Sequence, residues 1–177
     1  MAEARREAPS SPPPGSEERI ERLRTLFQAA EPQIRFEASA NATGEVVLTV
    51  DREDVLPLCR AAFERPELAF DHCRFVTGVD QMDQGIEIVY SFWSYPKRHS
   101  VFIKTTVSLA DPHLASVTSL WATANWHERE TAEMFGVVFD GHPNPKHLLL
   151  DDDLEIHPLL KAHPLAPVEL KQGVNSF

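Results

Sequence analysis

Cysteine is nearly missing from this 177-residue chain, which holds only Cys59 and Cys73 and no CxxC pair. Iron–sulfur and structural zinc sites usually need three or four thiolate ligands, so the chain lacks the donors for a cluster of its own. The pair could form one disulfide, but both cysteines sit in apolar stretches, LPLCRAAF and DHCRFV, which favours buried free thiols in a reducing compartment. Glycine is scarce as well: the seven present form neither GxGxxG nor GxxxxGK, which excludes the common phosphate loops. A nucleophile elbow and an HExxH helix are also missing. Positive charge is in deficit, with 17 Lys and Arg against 27 Asp and Glu, a net charge of -10. That balance excludes a phosphate-backbone binder and a polybasic grip on anionic lipid. No run approaches the ~20 apolar residues of a membrane span, and the opening MAEARREAPSSPPPGSEER has no apolar h-region. The expected location is cytoplasmic, with membrane association only through partners.

What remains is ordinary globular composition, 42% hydrophobic and 25% charged, enough for one domain with extensions. Residues 1–15 are a Ser/Pro-rich tail expected to be disordered. Ser16 suits a helix cap, and Ile20, Leu23, Leu26, Phe27 and Ala30 fall on one helical face ahead of Pro32. Strands are predicted near 33–38 and 45–50, joined by the turn Asn41-Ala42-Thr43-Gly44. Asp51 suits the cap of a second helix carrying Val55, Leu56, Cys59, Ala62 and Phe63 inward and stopping before Pro66. Three strand candidates follow: CRFVTGVD, IEIVYSFWS and SVFIKTTVS. In the third, Val101, Ile103 and Thr105 alternate with Phe102, Lys104 and Thr106, the pattern of a half-buried antiparallel face. A short strand near 115–118 precedes a helix at roughly 120–135. The predicted fold is α+β over 16–136, a mostly antiparallel sheet with helices on one face. An extended C-terminal strap completes it.

Chemistry is sparse. On the last helix Trp126, Glu130 and Met134 lie four apart on one face, and Arg129 with Glu133 has the spacing of an ion pair. One reading makes Glu130, flanked by two apolar neighbours, a partly buried carboxylate that needs a partner; another makes it part of a solvated charged face with ordinary i,i+4 pairing, and the favoured one places it at an interface. His142, His147, His157 and His163 cluster near Asp140, Asp151, Asp152, Asp153 and Glu155. Their spacing suits hydrogen-bonding or interface roles better than metal ligation, because three of the histidines precede proline and are biased toward extended backbone. The run Asp151-Asp152-Asp153 is expected to be a solvated turn or helix cap.

The strap, 137–177, carries five prolines together with Val137, Val138, Phe139, Leu148–Leu150, Leu154, Ile156, Leu159, Leu160 and Leu165. It shows no sustained period, and some 40 residues cannot build a second core unaided. Each large side chain left in water forgoes roughly 1.5–3 kcal/mol. The segment therefore lies along a partner or back along its own domain.

Residues Trp126-His127-Glu128-Arg129-Glu130, Glu133-Met134-Phe135-Gly136-Val137, Phe139-Asp140-Gly141-His142-Pro143 and His157-Pro158-Leu159 with Lys161 and Pro164-Leu165 form one pattern. It resembles the 30-kDa-type subunit of the proton-pumping NADH:quinone oxidoreductase, respiratory complex I. The resemblance spans about 115–165. It implies a peripheral-arm scaffold subunit on the cytoplasmic side of a bacterial membrane, with no catalytic, cofactor-binding or metal residues of its own. FMN and iron–sulfur clusters would sit in partner subunits. The implied partners are the large hydrogenase-like subunit and the small cluster-bearing subunit. Trp126, Glu128, Arg129 and Glu130 would meet the neighbour, and His142, Lys146, His157 and Lys161 would hold the strap. Alternatives are the equivalent subunit of a membrane-bound energy-converting hydrogenase, or a stand-alone His/Asp metal-dependent enzyme.

Overall fold

The computed structural model describes residues 15–151, 154 and 156–162. The expectations for the tail at 1–14, for Asp152, Asp153 and Glu155, and for His163 onward lie outside the described residues. Helix α1 (Ser16–Ala30) buries Leu23 and Phe27, four residues apart on one face, and the Glu31 N–H closes it on Phe27 O. Its cap position is Gly15 rather than Ser16, which is the first helical residue. Strands β1 (Phe36–Ala40) and β2 (Val46–Val50) form the predicted hairpin. Asn41 shapes its turn by accepting the N–H groups of Thr43 at 3.0 Å and Glu45 at 2.9 Å through Oδ1. Helix α2 (Val55–Glu64) follows a 3-10 turn at Arg52–Asp54 and ends before Pro66.

Strands β3 (His72–Asp80), β4 (Ile86–Ser94) and β5 (His99–Val107) complete a five-stranded sheet of order β1-β2-β5-β4-β3. All neighbours are antiparallel except β2 and β5, which run parallel. The inward positions Leu48, Ile88, Tyr90, Phe92, Ile103 and Val107 are buried with Phe27, Leu58 and Cys59 of the helices. Cys59 and Cys73 are free and buried, and burial pushes the Cys73 thiol up to about 12.

The remaining elements build the site. Strand β6 (His113–Ala115) pairs in parallel with β7 (Val138–Asp140). It ends before 116–118 because the backbone there turns to a side chain of α3 (Ala124–Phe135). That helix lies along the outer edge of β3. Thr123 and Thr131 donate to the strand carbonyls of Cys73 and Val76 at 3.4 and 3.3 Å, which protects an edge otherwise open to pairing. Ahead of it, Trp121 stacks on Phe92 with ring centroids 4.2 Å apart and donates from Nε1 to Phe70 O at 3.0 Å. Val137 and Phe139 are buried in the common core, so the first residues of the strap are part of the sheet domain.

Candidate functional site

Helix α3 presents one polar residue to the strap on almost every turn. Glu128 is wholly buried. Its carboxylate accepts Ser116 Oγ at 2.6 Å and Val117 N at 2.8 Å, which ties the β6–α3 connection to the helix. Burial pushes its pKa up to about 7, against the opposing pull of those two hydrogen bonds. Glu133, also buried, accepts the backbone N–H groups of Leu148 at 2.8 Å, Leu149 at 3.0 Å and Leu150 at 3.4 Å. Arg129 donates from Nε to Lys146 O at 2.7 Å and from Nη2 to His147 O at 2.6 Å. Its guanidinium carbon also lies 5.5 Å from the Trp126 ring centroid.

The spacing of Arg129 and Glu133 thus misleads as an ion pair. The two side chains do not bond each other; the cation takes the strap's carbonyls and the anion takes the N–H groups of the next three residues. Each bond is charge-assisted, which makes it stronger than the usual backbone contact. Glu130 is exposed, which fits the solvated and interface readings and not the partly buried one. The buried carboxylates are its neighbours in sequence: Glu128 lies on the inward face of α3 with 124, 131 and 135, and Glu133, on another side of the helix, is covered by the strap at 148–150.

The strap returns at 157–162 to close the end of α3. The last carbonyls of a helix lack intrahelical donors; here His157 Nδ1 donates to Glu133 O at 2.9 Å and Leu159 N to Met134 O at 3.1 Å. Gly136 makes this approach possible. It sits at φ +76, and a Cβ there would stand 2.7 Å from the His157 ring. Lys161 N then donates to Asp80 Oδ2 at 2.7 Å. The backbone bonds from Lys161 and Met82 hold the Asp80 carboxyl below its usual range. His142 accepts the Asn144 N–H on Nδ1 at 3.0 Å, so its Nε2 is the donor to Asn125 O at 3.2 Å. A cleft of about 190 Å³ remains under the arch, walled by Ala132, Val137, Phe139 and His142.

Of the eight residues singled out from sequence, all lie on α3 or the strap folded along it. His142 and His157 join the strap to α3 through their rings. Lys146 and Lys161 enter hydrogen bonds through the backbone, Glu128 is interior, and Trp126 and Glu130 face outward. Glu133 and Asp80, the two carboxylates that anchor the strap, do not stand out in the sequence: one looks like half of a helical ion pair, the other like a strand end. His147 and His157 each reach a backbone carbonyl, and among the described residues no group of three or more His, Cys, Asp or Glu could hold a metal ion. The outer side of the site exposes large apolar side chains among its charged ones, with Trp126 60%, Leu149 64%, Ile156 49% and Leu159 55% exposed.

The family described as "Respiratory-chain NADH dehydrogenase, 30 Kd subunit" matches residues 48–169. The chain is 41% identical over 133 residues to the NADH-quinone oxidoreductase subunit designated C in Salinispora tropica, covering 72% of this chain and 54% of that protein. It is 37% identical over 146 residues to the subunit of the same designation in Roseiflexus castenholzii, covering 81% of this chain and 83% of that one. The chain therefore spans about half the length of the Salinispora relative and most of the Roseiflexus one. A trypsin-resistant fragment (1–134) of Nqo5 superposes with a TM-score of 0.58 at 26% identity, over 70% of this chain and 98% of that fragment. A chain of an archaeal membrane-bound sulfane sulfur reductase shares the fold at TM-score 0.69 and 21% identity, over 82% of this chain and 85% of that one. With its matched segment running from β2 through α3 and the strap, the chain belongs to the family of the 30-kDa subunit of respiratory-chain NADH dehydrogenase.

Proposed function

We propose that the chain is a non-catalytic scaffold and assembly subunit in the peripheral arm of a proton-pumping NADH:quinone oxidoreductase. The observation that carries this is the division of labour in the strap. Its backbone is bound to α3 by Arg129 and Glu133 and to the end of β3 by Asp80, while Leu149, Ile156 and Leu159 point outward. Large apolar side chains held in water gain only when another surface covers them, and a backbone already fixed loses less entropy on docking. Trp126 beside Arg129 adds the residue types that dominate interface energetics.

In this reading the outer face of the strap and α3 meets the large hydrogenase-like subunit, close to the small subunit that holds a cluster. FMN and the iron–sulfur clusters belong to other subunits of the assembly; the two thiols of this chain are buried in its own core and too few for a cluster. The chain sits peripherally on the cytoplasmic side, attached through its neighbours. Among the described residues no helix is long and apolar enough to cross a membrane.

The test is co-purification from membranes. Truncation must begin after Pro143, since Val137 and Phe139 are core residues and a cut at 137 would damage the domain. The truncated chain should keep a cooperative thermal transition yet lose the large subunit. A full-length Leu149→Glu/Ile156→Glu variant should lose it too. Retention of the large subunit at the unmodified yield by both variants would refute the docking role. A purified assembly holding no flavin- and NADH-binding subunit would place the chain in an energy-converting hydrogenase instead.

A further inference from the structure

At the other end of the sheet lies a groove lined mainly by cations. The four-residue turn between β4 and β5 carries Lys97 and Arg98, and together with Arg19 and Arg22 of α1 it lines this groove of about 330 Å³, which Trp93 also lines. All four cations are exposed. Among the described residues no carboxylate pairs with Arg22, Lys97 or Arg98. Glu45 is the one acidic residue lining the groove, and Arg74 at 2.9 Å and Ser100 at 2.9 Å already engage it. Burial, with Arg22 and Lys97 close by, holds the His99 imidazole below its ordinary pKa. Within the groove four cations stand against one engaged carboxylate, Glu45, while Glu18, Glu21 and Glu67 lie on the adjoining flank beside Arg22 and Lys97.

The turn is also pre-shaped. Tyr95 N donates to Asp71 Oδ1 at 3.1 Å, Lys97 N donates to Ser94 Oγ at 3.2 Å, and Arg98 is held at φ +52, a conformation that a non-glycine residue rarely adopts. Tyr95 is 64% exposed and packs edge-on against Trp93 at 6.4 Å. A rigid tip bearing Tyr, Trp and Arg is the composition of an interface centre. We infer that the β4–β5 turn and the facing arginines of α1 form a second docking surface, which takes an acidic segment of a partner polypeptide. Its concave form suits a chain carrying Asp or Glu side chains; a flat anionic bilayer would meet only the tip. This surface is independent of the strap. Trp93 pairs with His72 and Ile86 with Asp80, so eight residue steps of β3, about 26 Å, separate the groove from the Asp80 anchor.

Lys97 supplies the reporter. The native assembly in its membranes is treated with a water-soluble carbodiimide, which joins an amine to a carboxylate only when the two are in contact, and the products are mapped by mass spectrometry. Lys97 should be found joined to an Asp or Glu of another polypeptide. The yield should fall about tenfold in an Arg22→Glu/Arg98→Glu variant and remain unchanged in Arg60→Glu, a cation exposed on α2. The thermal midpoint of each variant checks that the chain is folded, and the unmodified chain alone suffices for the mapping. Coupling of Lys97 only within this chain, for example to Glu18, Glu21 or Glu67 on the neighbouring flank, would overturn the inference. Coupling only to the headgroup carboxylate of phosphatidylserine, or no coupling at all, would overturn it equally.

Discussion

Replacing Glu128 by Gln should stabilise this protein above neutral pH and leave it almost unchanged in mild acid. The carboxyl is wholly buried, its two partners are the Ser116 hydroxyl and the Val117 N–H, and burial moves its pKa from 4.5 to about 7. The folded chain therefore binds the proton more tightly than the unfolded chain does. Its contribution to stability is complete below about pH 4.5 and is lost as the pH rises through about 7. The difference between 4.5 and 7 corresponds to about 3 kcal/mol once the group is fully ionised. Glutamine stays neutral throughout and can serve both partners. Its Oε1 accepts Val117 N, and its amide donates to Ser116 Oγ, whose own proton turns to Thr118 Oγ1, 2.7 Å away. Urea unfolding at pH 5, 6, 7 and 8 and constant ionic strength measures the effect. The variant should match the unmodified chain within about 1 kcal/mol at pH 5 and exceed it by about 2–3 kcal/mol at pH 8. Stability curves that run parallel across this range, or a variant weaker at pH 8, would show that Glu128 is ionised in the fold and stabilised by something else.

Two further substitutions probe the strap. Glu133→Gln keeps one acceptor oxygen and turns an amide toward N–H groups, so about 1.5–3 kcal/mol of charge-assisted bonding is lost locally; the amides of Leu148, Leu149 and Leu150 should exchange with solvent ten- to a hundredfold faster while those of β4 and β5 keep their rates. Unchanged exchange at 148–150 would mean that the strap is held by other contacts. Gly136→Ala forces a left-handed backbone onto an L side chain and drives a methyl into the His157 ring, which should lower unfolding free energy by about 1–3 kcal/mol in a urea titration and free the amide of Leu159. An alanine variant as stable as the parent would show that His157 can move aside.

Much of the fold was legible from local pattern. The alternation in residues 101–106, the one-sided stripe of Leu23 and Phe27, and the Asn41 turn each depend on neighbours within a few positions, so periodicity and turn chemistry suffice to read them. Strand β7 was not legible. Three residues of irregular pattern become a strand only because β6, more than twenty positions earlier, offers its edge. The parallel pairing of β2 with β5 is likewise a matter of which edges meet after α2 has crossed the sheet.

For the site, residue order alone said where to look: a charged helix, a glycine, and a proline-rich apolar segment too short for a core. It also set what the chain lacks, since ligands that are not encoded cannot be supplied by folding. Which carboxylates matter emerged only in three dimensions. Helical spacing makes Arg129 and Glu133 natural partners, but a free backbone segment offers both of them paired acceptors and donors, and at Glu133 burial excludes the water that would compete. Asp80 gained its role because β3 ends beside a residue 81 positions later. Such a choice depends on desolvation and on distance in space, and neither quantity exists until the chain has folded.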